Sequence, residues 1–160
     1  MASKNTLELS MSALSPALCE VIDSGGKAEI TVTGNSMYPM LKHRVSRVRM
    51  AKAEELRIGD LPLYRRDNGA YILHRIVGKD GETFVCCGDH QWHPERGIHR
   101  DQILAVVTDF CRTDRWHSCT AVSYRLYVRF WMWIRPLRHL LFGGAGRIKR
   151  FLLKGKSGKR

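Results

Sequence analysis

Apolar residues recur along the chain at two periods, and the change of period divides it. Leu7, Met11, Leu14, Leu18, Val21 and Ile22 follow a helical spacing. Pro16 would break a single helix through them, so Ser15-Pro16 reads as a cap and first helical residue, with Gly25-Gly26 ending the helix. From Lys27 the pattern becomes short runs rich in β-branched and aromatic residues, at 28–33, 45–50, 61–65, 71–77, 83–87 and 103–110. Between them lie Asp67-Asn68-Gly69 and Lys79-Asp80-Gly81, whose Asn-Gly and Asp-Gly pairs accept the positive φ of tight hairpins. A mainly β protein is predicted, with an antiparallel β body behind a short N-terminal helix.

Helical spacing returns near the end. Leu126, Phe130, Trp133, Ile134, Leu137 and Leu141 fall on one arc, with Arg125, Arg129, Arg135 and His139 opposite. Arg138 interrupts the apolar face and Pro136 should kink the helix. A glycine-rich break at 143–146 then leads into a basic stretch ending at Arg160. The expected organisation is an N-terminal helical segment at 1–26, a β domain at 27–110, a linker at 111–120 and a basic, aromatic, amphipathic C-terminal segment at 121–160.

Charge sharpens that division. The 160 residues carry 27 Lys plus Arg against 15 Asp plus Glu, a net charge of +12. Residues 115–160 hold 12 of the basic groups and no carboxylate, so the preceding body is formally neutral. A neutral body with a basic tail suits a tethered domain better than a nucleic-acid groove. Tyr124, Tyr127, Trp131 and Trp133 among arginines fit a lipid interface, which makes an anionic membrane surface the expected partner of 121–160. Nucleic acid is disfavoured, because no helix-turn-helix pattern precedes the body. No apolar run reaches the ~18 residues of a membrane span, and Glu8 and Ser10 interrupt any signal-peptide pattern. Five cysteines, an odd count with Cys86 and Cys87 adjacent, suit a reducing compartment. A cytoplasmic protein, held peripherally at the inner face of the cell membrane, is expected.

The residues richest in chemistry are Gly34-Asn35-Ser36-Met37-Tyr38-Pro39, which follow a predicted strand. A serine hydroxyl is inert without a base in reach. His74, in Tyr71-Ile72-Leu73-His74-Arg75-Ile76-Val77, is the best candidate by residue type, since imidazole exchanges protons near neutral pH. Cys86, Cys87, His90, His93 and His99 are close in sequence but lack the double paired spacing of a zinc site. Neither a metal nor another cofactor is expected.

The order Gly34-x-Ser36-Met37-x-Pro39, Gly59-Asp60, His74-Arg75-Ile76-Val77 and Gly88-Asp89 resembles the signal peptidase I and LexA-like peptidase superfamily over roughly residues 28–108. Histidine in place of the lysine base is similar to the endoplasmic-reticulum and archaeal signal peptidases, though without their N-terminal membrane anchor. The resemblance implies a serine endopeptidase that cuts peptide or protein precursors, with Ser36 as nucleophile and His74 as general base and acid. It offers Asp89 as the carboxylate that orients the imidazole. Read alone, Asp89 serves equally as a turn residue between Cys87 and His90. Gly34, Asn35, Met37 and Pro39 become substrate-cleft or oxyanion candidates, through backbone N–H groups at Asn35 and Ser36. The competing readings are a non-catalytic peptide-binding module on the same scaffold and a nucleic-acid-associated regulator acting through the basic tail.

Overall fold

Residues 11–137 are described by the structure, a computed structural model. Leu7 and the stretch from Arg138 onward, including His139 and Leu141, lie outside the described residues. Helix α1 spans Met11–Asp23, so Pro16 lies inside it and not at its first turn. The proline forfeits one intrahelical hydrogen bond. Tertiary packing outweighs that loss, because Leu18 and Ile22 are buried in the core and the buried Ser15 hydroxyl accepts from Tyr71 at 2.7 Å. Ser15 is therefore a core contact, not a helix cap. The C-terminal end follows the sequence signal: Gly25 has φ 82° and Gly26 N–H donates to Val21 O at 2.8 Å.

Among the described residues nine strands form two antiparallel sheets. The first runs in the order β1 (Ala28–Thr31), β2 (Arg47–Ala51), β8 (Ile103–Cys111), β3 (Pro62–Arg65) and β4 (Tyr71–Leu73), with β9 (Trp116–Ser118) also paired to β8. The second is β5 (Arg75–Asp80), β6 (Thr83–Cys87) and β7 (Glu95–Ile98). Gly69 (φ 83°) and Gly81 (φ 58°) turn the β3–β4 and β5–β6 hairpins where the Asn-Gly and Asp-Gly pairs predict them. The run 71–77 is not one strand. It breaks at His74, where the chain leaves the first sheet and enters the second.

The segment 111–120 is likewise more than a linker, since β9 lies within it and Trp116 packs under Arg49, 3.9 Å from guanidinium carbon to ring centroid. Helix α2 (Val122–Trp133) joins the body through Tyr124 and Val128, which are buried with Leu18, Met37, Leu41 and Val107. Residues 121–137 thus belong to the folded domain. The arc that sequence singles out is not the packed face: Leu126, Phe130, Trp133 and Leu137 point to solvent. A second cluster, including Tyr64, Ile76, Cys86 and Ile103, lies between the two sheets' strands. All five cysteines are free thiols.

Candidate active site

The serine box is a tight loop between β1 and β2, anchored by its apolar members. Met37, Met40 and Leu41 are buried, and Leu41 N–H donates to Met37 O at 2.9 Å. Ser36, just before Met37, stays partly accessible. Its backbone is pinned from the other side, because Ser36 O accepts from His90 N–H at 2.8 Å. Gly88 is packed so closely that an added Cβ would lie 2.6 Å from Ser36 O and 3.1 Å from Ser36 Cβ. Gly88→Ala is therefore expected to lower the unfolding free energy by about 1–3 kcal/mol, measured by denaturant titration.

The β5–β6 ladder begins at the Arg75–Cys87 pair, so His74 and Gly88 are each the first residue beyond its end. Among the described residues no hydrogen bond joins the Ser36 hydroxyl to the His74 ring. The imidazole is buried at the crossing between sheets, and its Nδ1 lies 3.3 Å from the Tyr64 hydroxyl. Tyr64 in turn donates to Glu95 Oε2 at 2.8 Å, and Arg66 binds both Glu95 oxygens through Nε at 2.8 Å and Nη2 at 2.7 Å.

This chain fixes a tautomer. Hydrogen bonds from Arg66 hold the Glu95 carboxyl below its ordinary range against the opposing effect of burial, so it is an ionised acceptor. Burial, then the bond to Glu95, pushes the Tyr64 hydroxyl far above its ordinary value, so it keeps its proton and donates a hydrogen bond through it to Glu95. The only role left to Tyr64 toward His74 is acceptor, which puts the imidazole proton on Nδ1 and leaves a lone pair on Nε2. Burial pushes the His74 pKa down to about 4, partly countered by Glu95, so the ring is neutral at pH 7.

Asp89 has another partner than the expected imidazole. Its two oxygens accept from Arg75 Nε at 2.8 Å and Nη2 at 2.7 Å, in a pair with almost no solvent exposure. Arg75 also donates to Gly59 O at 2.9 Å and to the Tyr124 hydroxyl at 3.1 Å. Burial opposes the guanidinium charge, but the Asp89 bonds outweigh it and its pKa is raised. The carboxylate end of the His74 chain is instead Glu95, reached through Tyr64.

The remaining expected residues separate. Gly34, at φ 89°, spends its amide on His43 Nδ1 at 2.8 Å, and Met37 is in the core, not the cleft. Among the described residues the Asn35 and Ser36 amides donate to no protein acceptor, which leaves them available to an oxyanion. Pro39 lines a groove of about 820 Å³ with Tyr38, His90, Trp92, Trp131 and Met132. Among the described residues no group of three or more His, Cys, Asp or Glu side chains could hold a metal.

Tyr64, Arg66 and Glu95 are the functional candidates that sequence reasoning missed. Tyr64 reads as one more strand aromatic, and Glu95 sits in a strand with few β-forming residues. No protein-family model matches the chain, and no curated protein matches it.

Proposed function

We propose that the protein is a serine endopeptidase of the signal-peptidase-like type, cutting peptide or protein precursors with Ser36 and His74. The observation that supports this reading is the Tyr64–Glu95–Arg66 chain behind His74, which commits the imidazole proton to Nδ1, together with the packing of Ser36 against Gly88, the residue that follows the strand paired with Arg75. In the first step His74 Nε2 takes the Ser36 hydroxyl proton as Oγ attacks the peptide carbonyl, and the Asn35 and Ser36 amides stabilise the oxyanion. The imidazolium then gives that proton to the leaving amine. Water, deprotonated by the same nitrogen, releases the acyl group. The Tyr64–Glu95 chain holds the ring and offsets its transient charge. The two groups share no hydrogen bond before substrate arrives, a looseness common in unliganded sites. The groove beside Pro39 and His90 gives an extended substrate a place to lie.

Candidate precursor peptides incubated with the purified protein, with fragments read by mass spectrometry, test the proposal. Cleavage by the wild type and none by Ser36→Ala is expected, whereas equal cleavage by the variant overturns it. The unmade Ser36–His74 bond favours a second reading, a module that holds peptides in the same groove without cutting them. Binding of intact peptide by both wild type and Ser36→Ala is its signature.

Tyr64→Phe is expected to lower kcat by about tenfold, because Nδ1–H then lacks an acceptor and the productive tautomer loses its preference. KM should change little. Steady-state kinetics on a cleaved peptide measure both.

A further inference from the structure

Helix α2 has two apolar faces, and the body uses only one. Tyr124 and Val128 enter the core. On the other side Val122, Leu126, Phe130 and Trp133 are between 57% and 73% exposed. Their spacing of four, four and three residues puts them in one stripe along the helix. Arg125 and Arg129, both exposed, flank the stripe on the same helix. A contiguous row of large apolar side chains on a surface marks an interaction site.

We infer that this stripe seats the protein on an anionic lipid bilayer. Charge selects that occupant. The stripe lies in the 115–160 segment, which holds 12 basic groups and no carboxylate, so a second copy of a chain carrying +12 would be repelled while an anionic surface attracts it. Phe130 and Trp133 beside arginines match the depth preferences of a bilayer interface, where apolar side chains enter the acyl boundary and cations stay with the headgroups. A nucleic acid would use the arginines and leave the apolar row uncovered. Seated in this way the helix lies along the surface; among the described residues no helix is long and apolar enough to cross a membrane.

The placement has a consequence for the groove. Trp131 and Met132 line it from the inner side of the same helix, so a seated α2 holds the groove about one helix diameter, ~10 Å, from the lipid surface. This inference does not depend on the chemistry of Ser36.

Co-flotation of the full-length protein with phosphatidylcholine vesicles containing phosphatidylglycerol, at near-physiological salt, tests it. The wild type should float, and the Leu126→Ser/Phe130→Ser/Trp133→Ser variant, which keeps every charge, should bind about tenfold more weakly. The altered side chains are exposed, so an unchanged melting temperature certifies the variant's fold. Failure of the wild type to float, or equal flotation of the variant, overturns the inference. So does a wild-type dimer that the variant abolishes, or preferential binding of duplex DNA over the vesicles.

Discussion

Replacing His74 by alanine is expected to reduce kcat/KM by ~10²–10⁴-fold, the usual contribution of a positioned general base. The protonation pattern of the ring is imposed from behind by Tyr64, Glu95 and Arg66. The wild type carries a pH signature that the variant should lose. Burial pushes the His74 pKa down to about 4, so the basic form persists well below the ordinary value of 6.5 and the acid limb of kcat/KM should fall near pH 4. Stability moves in a consistent direction. The unfolded chain takes up the His74 proton near 6.5 while the folded protein resists until about 4, so unfolding free energy falls as pH drops through that window. Urea titrations at pH 7 and pH 4.5 should show a smaller decline in His74→Ala than in the wild type.

Arg75→Met is expected to destabilise the fold by about 3–5 kcal/mol, because it leaves the Asp89 carboxylate buried without its counter-charge. Arg75 is fully buried and ties together four parts of the chain: its own strand β5, the Gly59 turn, the Asp89 loop and α2 through Tyr124. The loss should reach the site as well, since Asp89 is flanked by Gly88 and His90, the two residues that hold Ser36. Lysine should not rescue it, because one ammonium cannot reproduce two parallel bonds to Asp89 and a third to Gly59. Thermal melts of the Arg75→Met, Arg75→Lys and Arg75→Met/Asp89→Leu proteins measure this. The double variant should recover much of the stability, because it removes the orphaned charge.

These two residues show where sequence is informative and where it stops. The hairpins at Asn68-Gly69 and Asp80-Gly81 are local, set by residues that accept positive φ, and they stand where the sequence predicts them. The break at His74 is not local. Nothing between Tyr71 and Val77 signals a stop, and the strand divides because its halves pair with different sheets. Ser36 and His74 stand out as candidates by residue type and order. Tyr64 and Glu95 do not, because 31 positions separate them and only the meeting of β3 with β7 brings them to one ring. Asp89 was visible as a conspicuous carboxylate, but its partner depended on which side chain filled the space beneath it. For α2 the arc that the period singles out is the exposed one, and the packed face through Tyr124 and Val128 was not legible, because both sides of the helix are apolar and periodicity alone cannot rank them.

Activation of Ser36 as a nucleophile by His74 is read out most directly by intact-mass analysis after exposure to a serine-reactive fluorophosphonate. One adduct on Ser36 in the wild type, absent from Ser36→Ala and at least about a hundredfold slower to form in His74→Ala, is the predicted result. An unlabelled wild type, an adduct on another residue, or equal labelling in His74→Ala would contradict it.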